Sequence, residues 1–254
     1  MAKLKRLIFE VDDLLKNYHQ SEILKIKKLE IHPGTIYGIL GNVGSGKTTL
    51  LDILSGVIKQ SDGTVLYEDK PYETNWRGKI YTHNDVFYSR YPYVKGNKRT
   101  VSRYISEIFG NKKSVIENRY FKNSSYKNLL VRNIKNLSEA ELNWLGMVLA
   151  CETDPRVLLI DDYGVHINND MEKDFRAKII SMNRTLGTTI ILSAPSDLHL
   201  KHFASVLIFL DHGHIWKIRS GISKNNNRIR KNKKGQNRNR SQKRNRINKK
   251  NKTR

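Results

Sequence analysis

Apolar and polar positions in the first 85 residues form short runs separated by turn residues, a pattern that predicts β-strands. LIFEVDDLL (7–15) and KIKKLEIHPG (25–34) have the apolar content of strands, and HPG marks a turn. TIYGIL (35–40) is a short run of the buried type. SDGTVLYEDKPY (61–72) predicts a hairpin that turns at Asp62-Gly63.

Helical spacing of apolar positions begins at residue 48 and returns later in the chain. The segment 138–151 predicts a helix with Ser138 as its N-cap and Glu141 completing a capping box. The other predicted helices are TTLLDILSGVI (48–58), most of 88–136, and MEKDFRAKIISMNRTLG (171–187) with Gly187 as its C-cap.

Between and after these helices lie further apolar runs that predict strands. VLLIDD (157–162) and TTIILSA (188–194) read as buried strands, and VLIFLDHGHIWKI (206–218) as a hairpin turning near His212-Gly213. Strands that alternate with helices predict an α/β fold with a mostly parallel sheet covered on both faces.

The net charge of +23 is concentrated in two segments. Residues 88–136 hold 12 basic and 2 acidic side chains, and residues 224–254 hold 15 basic and none acidic. From about residue 222 the apolar pattern stops, which predicts a disordered basic tail over 222–254. Candidate partners of this tail are RNA, DNA and an anionic inner membrane leaflet, and an extension without a partner is the alternative.

Composition argues against a membrane-spanning or secreted protein. No run of residues approaches the roughly 20 apolar positions that span a bilayer. Acidic residues follow the start of the chain too soon for a secretion signal, and Cys151 is the single cysteine. A cytoplasmic location is therefore expected.

GNVGSGKT (41–48) fits the pattern G-x-x-x-x-G-K-[ST], and it stands between a predicted strand and a predicted helix. Glycines let backbone N–H groups approach phosphate oxygens, Lys47 reaches the β- and γ-phosphates, and the Thr48 hydroxyl binds Mg²⁺. The predicted phosphate-binding residues are Gly41, Asn42, Gly44, Ser45, Gly46, Lys47, Thr48 and Thr49.

The stretch GILGNVGSGKTTLLDILSGVIKQSDGTVLYEDKPY (38–72) resembles the opening of an ATP-binding cassette (ABC) ATPase, and the resemblance extends over roughly 4–221. It implies a P-loop NTPase sheet of the ABC type, with an antiparallel β subdomain and an inserted helical subdomain at about 86–150. The ABC domain would span 1–221, followed by the tail at 222–254.

The resemblance also implies roles for residues outside the loop. Tyr18 would stack on adenine. Asp161, at the end of VLLIDD, would hold Mg²⁺ through water, and Asn84 would be the amide that links Mg²⁺ to the transport partner. Asp162 and Lys47 are the catalytic candidates.

The sequence departs from the family pattern at several positions. Asp162 replaces a glutamate and is one methylene shorter, and Pro195 falls where a switch histidine belongs. LSEAE (137–141) replaces the signature LSGGQ: Ser138, which would contact nucleotide on another subunit, is kept, while carboxylates replace two of the other side chains. Asn168 replaces an aspartate that contacts the partner subunit. These departures predict slow hydrolysis, or hydrolysis only with a subunit that supplies the signature in trans.

The resemblance implies an ATP-binding subunit of an ABC transporter, peripheral at the inner face of the membrane. Its partners would be a membrane-spanning permease and a second ATP-binding subunit, identical or different. Residues 88–136 would then dock the permease, although their eight Tyr or Phe among basic residues also fit nucleic-acid binding. A soluble ABC protein acting on nucleic acid or ribosomes, and a nucleotide sensor without turnover, are the alternative interpretations.

Overall fold

The computed structural model describes residues 6–91, 93–95, 97–122 and 124–221. The predicted disordered tail at 222–254 lies outside these residues. The described strands are β1 (Phe9–Tyr18), β2 (Ser21–Ile31), β3 (Ile36–Leu40), β4 (Asp62–Tyr67), β5 (Lys70–Pro71), β6 (Val86–Ser89), β7 (Val157–Ile160), β8 (Thr189–Ala194), β9 (Val206–Asp211) and β10 (His214–Ser220). The described α-helices are α1 (Lys47–Leu54), α2 (Val101–Phe109), α3 (Lys113–Tyr120), α4 (Ser124–Lys127), α5 (Glu139–Glu152) and α6 (Asn169–Leu186).

The amino-terminal strands form a four-stranded antiparallel sheet in the order β2-β1-β4-β5. Its β4–β5 hairpin turns at Glu68 and Asp69, both with positive φ, so the predicted turn at Asp62-Gly63 is wrong. Gly63 instead lies within β4, where a Cβ would stand 2.2 Å from the carbonyl oxygen of Asp13 on β1. The glycine is required by this close approach between strands and not by a turn.

A six-stranded sheet has the order β10-β9-β3-β8-β7-β6, with β10 antiparallel to β9 and all other pairs parallel. The hairpin between β9 and β10 turns at His212 and Gly213, as predicted. Because the parallel strands share one direction, the segments that follow β3, β6, β7 and β8 all leave from the same edge of the sheet.

The helices α2 to α5 are inserted between β6 and β7, which are neighbours in the sheet. A helical insertion is present as predicted, but Val86–Ser89, which the prediction included in it, instead form β6 of the sheet. The capping box at Ser138 and Glu141 and the C-cap at Gly187 also form as predicted. Helix α1 is shorter than the predicted 48–58, because Gly56 has a φ of 75° and ends the helical conformation.

Strand β7 contributes to both hydrophobic cores. Leu158 and Ile160 pack in one core with α5 and α6, whereas Val157 and Leu159 pack in the other with α1 and the antiparallel sheet. Side chains that alternate between two covered faces explain why the run VLLI is apolar throughout. Helix α1 is thus fixed between the two sheets at the end of the phosphate loop.

Within the described part of the chain, the helices are too short or too polar to cross a lipid bilayer.

Candidate functional site

The predicted phosphate loop connects the carboxyl end of β3 to the first residue of α1. Its glycines are needed for space and for backbone conformation. A Cβ on Gly41 would lie 2.3 Å from the carbonyl oxygen of Leu210, and one on Gly46 would lie 2.6 Å from a methyl of Leu24. Gly44 and Gly46 have φ values of 82° and 97°, in the region that favours glycine. The loop therefore holds a turn that other residues would disrupt.

The start of α1 presents donors to the inside of this turn. Gly46 is the N-cap and has no side chain that could accept a bond from the first amides, which lack partners within a helix. The hydroxyl of Ser45 is buried and has no hydrogen-bond partner among the described residues. The amides of Lys47, Thr48 and Thr49, with the positive end of the helix dipole, form an anion site.

Lys47 bends back across the loop. Its Nζ donates to the carbonyl oxygens of Gly41, at 2.8 Å, and Asn42, at 2.9 Å. Burial lowers the pKa of this ammonium group, while the Asp162 and Asp161 carboxylates act to raise it. A buried cation that bonds to neutral carbonyls is poorly compensated, so an incoming phosphate would improve its environment.

Thr48 and Asp161 meet although 113 residues separate them in the sequence. The Thr48 hydroxyl donates to Asp161 Oδ2 at 2.7 Å. Asp161 follows β7, and its other carboxylate oxygen accepts hydrogen bonds from the Ser193 hydroxyl and from the backbone N–H of Asp162. Two oxygen ligands suited to a hard cation are therefore already side by side.

Ser193 is a site residue that the sequence analysis missed. It is fully buried in β8, and its hydroxyl also accepts from the N–H of Asp162 at 2.9 Å. Ser193 thus orients both carboxylate-bearing residues that follow β7. The available signal was the one polar side chain within the otherwise apolar IILSA, since a buried hydroxyl needs a nearby polar partner.

Asp162 has a positive φ of 51°, which is uncommon for a residue other than glycine. Burial raises the pKa of its carboxyl, and the adjacent Asp161 raises it further, while Lys47 and His166 act in the opposite direction. Two carboxylates share the edge of the sheet near Lys47. This arrangement is typical of a site that binds a cation and moves protons.

The structure contradicts the assignment of Asn84 to the metal site. Asn84 precedes β6, whereas Asp161 follows β7, and these parallel strands pair from Val86 with Val157 to Ser89 with Ile160. The strand between them places Asn84 about 16 Å from the edge that carries Asp161, at about 3.3 Å per residue. Asn84 therefore cannot share an ion with Thr48 and Asp161. Arg90, which directly follows β6, lies at the edge of the sheet that carries Asp161.

Tyr18 ends β1 and is 44% exposed, with Lys16 Nζ 5.0 Å from its ring centre. Lys16 pairs with Leu24, and Leu24 contacts Gly46 of the phosphate loop. The exposed ring thus lies at the end of a hairpin that packs against the loop. Stacking of Tyr18 on adenine stays a prediction.

The sequence model of the ABC transporter family matches residues 24–163, more than half of the chain. The chain belongs to the ABC transporter family. The tungstate uptake system ATP-binding protein TupC of Peptoclostridium acidaminophilum is 24% identical over 208 residues, covering 81% of this chain and 95% of that protein. The methionine import ATP-binding protein MetN of Clostridioides difficile is 24% identical over 227 residues, covering 83% and 68% respectively.

Solved structures show the same fold. cbiO1 from Clostridium perfringens, part of the ABC transporter complex cbiONQ, has a TM-score of 0.70 at 19% identity and covers 85% of this chain and 89% of that chain. A dimeric, post-hydrolysis structure of the ATP-binding cassette MJ0796, bound to ADP and Pi, has a TM-score of 0.70 at 15% identity and covers 85% and 99%. The predicted ABC ATPase fold and the predicted ATP-binding subunit of an ABC transporter are confirmed.

In the segment LSEAE (137–141), at the ABC signature position, the side chains of Ser138 and Glu141 are engaged in hydrogen bonds within the segment itself. Ser138 Oγ accepts from the N–H of Glu141 at 3.4 Å, and the Glu141 carboxylate accepts from the N–H of Ser138 at 2.7 Å and also binds Arg132. Glu139 accepts from the Tyr91 hydroxyl at 3.2 Å and lies 3.3 Å from Nδ1 of His166. Two carboxylates occupy the first turn of α5, where they would repel a phosphate.

The structure shows the surroundings of two other departures from the ABC pattern, Pro195 and Asn168. Pro195 follows β8 and lines a cavity of about 320 Å³ together with Gly41, Asn42 and Trp216. Proline there offers no side-chain donor to this space. Asn168 is the N-cap of α6, and its side chain accepts from the N–H of Met171 at 2.8 Å. Asn168 therefore has a local structural role that an aspartate would serve equally well.

Proposed function

We propose that this ABC protein binds Mg²⁺ and ATP at the edge of the six-stranded sheet and couples that binding to transport by a membrane-spanning partner. The hydrogen bond between Thr48 and Asp161 is the observation that carries the proposal. It brings a hydroxyl and a carboxylate together beside an open helix N-terminus and a buried lysine. Those are the groups that a magnesium-bound triphosphate requires.

The donor set suits Mg²⁺ better than a softer metal. Thr48 and Asp161 both offer oxygen ligands, and Ser193 holds the carboxylate in place. When bound, the ion would neutralise phosphate charge. The residues of this chain do the rest: amides of the loop hold the phosphates, Lys47 contacts their terminal oxygens, and Tyr18 packs against the base.

Hydrolysis is proposed to be slow. Asp162 stands after Asp161 with a backbone fixed by its bond to Ser193, so its short side chain cannot gain reach by moving the main chain. A misplacement on the order of 1 Å costs about a hundredfold in rate. Asp162 would accept or orient the proton of the attacking water, with Lys47 stabilising the terminal phosphate.

The closed signature supports a dimer of two different ATP-binding subunits. The hydroxyl of Ser138 is occupied within its own capping box, and Glu139 adds a negative charge beside it. A second copy would contribute the same carboxylates to the nucleotide on this chain. A distinct partner with an uncharged signature would supply donors instead, and the ATP bound here would then be the one that is hydrolysed.

The helical insertion is the proposed docking surface for the permease. It carries exposed apolar side chains, including Ile108 and Val115, among its many basic residues. A photo-crosslinking residue at Val115 should capture a co-expressed membrane protein encoded beside this chain. Crosslinks to RNA alone would support the nucleic-acid alternative instead.

Calorimetry with Mg-ATP tests the central proposal. The full-length chain should bind in the micromolar range only when Mg²⁺ is present, and Lys47→Ala should abolish the heat of binding. Lys28→Ala is the matched control, because Lys28 forms its ion pair with Glu30 on the same strand, β2, four residues beyond the Leu24 that borders the loop. Equal binding by Lys47→Ala and Lys28→Ala would overturn the assignment of the site.

A further inference from the structure

A cavity of about 210 Å³ lies between the inserted helices and α6, and its described lining residues are all outside the proposed ATP site. The end of α3, together with α4, α5 and α6, forms its wall. Tyr120, Tyr126 and Trp144 are the buried lining residues. Sites for drug-sized ligands have volumes of about 300–1,000 Å³, so this cavity suits a more compact ligand.

The buried part of the cavity is aromatic and includes a donor that lacks an acceptor. The rings of Tyr126 and Trp144 are stacked, with 4.5 Å between their centres and an angle of 16° between their planes. The indole N–H of Trp144 is buried and has no hydrogen-bond partner among the described residues. A buried donor without an acceptor is unfavourable. Because Trp144 lines the cavity, an acceptor atom on a ligand bound there would supply the missing bond.

Cationic side chains surround the opening of this cavity. Arg119 and Lys122 are exposed, and Lys178 is half-buried. The Lys178 Nζ lies 5.0 Å from the centre of the Tyr120 ring. Among the described residues, neither Lys122 nor Lys178 forms an ion pair with a carboxylate. Two ammonium groups, one beside the insertion and one on α6, are therefore available to a ligand.

Acidic residues neutralise these cations only in part. Asp174 is the one carboxylate among the described lining residues, against three cations. It precedes Lys178 by four residues on α6, a spacing that favours an ion pair, yet the two side chains form none. Arg119 pairs with Glu152. The excess of positive charge at the opening favours an anion.

We propose that this cavity binds a compact organic acid with a flat apolar body, such as an aromatic carboxylate. The carboxylate binds Lys122 and Lys178, and the apolar body packs against the aromatic rings. A bound acid thus connects the insertion to α6 and stabilises the folded chain. The inference goes beyond the proposed function and does not depend on the ATP site.

Tryptophan fluorescence of the full-length chain tests the proposed ligand. Trp76 and Trp216 are 85% and 62% exposed, and replacing both by phenylalanine leaves the buried Trp144 as the only tryptophan. Sodium benzoate should change the Trp144 emission in a saturable way. Benzamide lacks the charge and inorganic phosphate lacks the flat body, so each should bind at least about tenfold more weakly. If either binds as tightly as benzoate, the proposed class of ligand is wrong.

Substitutions at the opening test the charges. Lys178→Ala should weaken benzoate binding about tenfold, and Asp174→Asn should strengthen it about threefold, because a repelling charge is removed. Neither side chain is fully buried, so both variants should fold. Lys173→Ala is the matched control: Lys173 lies on the same helix, pairs with Asp170 at 3.7 Å and is not a described lining residue. Equal effects of Lys173→Ala and Lys178→Ala would overturn the assignment of the cavity.

Lys47→Ala tests whether the acid binds at the phosphate loop instead. This variant should bind benzoate as the unmodified chain does, because Lys47 lies outside the cavity. Loss of benzoate binding in Lys47→Ala would place the acid at the phosphate loop and refute the cavity site. If the unmodified chain binds benzoate with the expected dependence on Lys178 but does not bind Mg-ATP, the cavity site stands and the proposed ATP site falls.

Discussion

Replacing Glu141 tests whether the acidic signature serves to hold the start of α5. Its carboxylate accepts a hydrogen bond from the N–H of Ser138 and binds Arg132, whose side chain is 40% exposed. A hydrogen bond to a charged group contributes about 1.5–3 kcal/mol, and a partly exposed ion pair adds about 0–1 kcal/mol. Glu141→Ala should lower the free energy of unfolding by about 2 kcal/mol, and Glu141→Gln, which keeps an acceptor, by about 1 kcal/mol.

The loss of stability caused by Glu141→Ala should depend on pH. Burial raises the pKa of the Glu141 carboxyl, but its bonds to the Ser138 backbone and to Arg132 outweigh burial and lower the pKa overall. A carboxyl with a lowered pKa stabilises the fold above its unfolded value of about 4.3, and that stability is lost as pH falls through the folded pKa. The difference in the free energy of unfolding between the unmodified chain and Glu141→Ala should be largest at neutral pH. It should disappear once the pH falls below the folded pKa of Glu141.

Urea unfolding of the full-length variants measures these differences. In thermal unfolding, the same loss of about 2 kcal/mol should lower the melting temperature by about 4–8 °C in a domain of this size. If Glu141→Ala unfolds within about 0.3 kcal/mol of the unmodified chain at neutral pH, the capping box contributes nothing and the reasoning fails.

Three further predictions follow from the site and the core. Asp162→Glu should raise phosphate release at least about tenfold with unchanged ATP affinity, because the longer side chain restores reach; no increase in steady-state assays would count against Asp162 as the catalytic carboxylate. Gly46→Ala should cost about 2 kcal/mol of stability in thermal unfolding, since its φ is 97° and a Cβ would collide with Leu24; equal stability would show that the loop can rearrange. Burial raises the pKa of the Cys151 thiol to about 12, so a disulfide reagent at pH 8 should modify it at least about a hundredfold more slowly in the folded than in the urea-unfolded chain; equal rates would mean that the thiol is accessible.

Much of the fold could be predicted because its signals are local. The runs VLLI and TIILSA have no polar interruption that would expose a face, and GNVGSGKT fixes the order of strand, loop and helix. The capping box at Ser138 depends on side chains three residues apart. Features of this kind are set by neighbours in sequence, and the structure contains them where they were expected.

The errors arose where distant segments decide the outcome. Asp62-Gly63 has the composition of a turn, but the bulge near Asp13 on β1 requires a glycine opposite it, and the chain turns six residues later. Asn84 was chosen for its amide, yet only the register of β6 against β7 shows which end of the strand meets Asp161. The apolar and aromatic residues Val86 to Tyr88, which the sequence analysis did not assign to a strand, were the available signal that Asn84 comes before a strand and Arg90 after it.

The division of the interior into two cores has a consequence for how the protein can change. Helix α1 and the loop before it are anchored with the antiparallel sheet, while α5 packs in the other core. Substitutions that loosen the inserted helices would leave the phosphate loop rigid, and the surface presented to a membrane partner could diverge without loss of nucleotide affinity. The parallel strands that serve both sides, β3, β7, β8 and β9, are the route by which a defect in one half can reach the other.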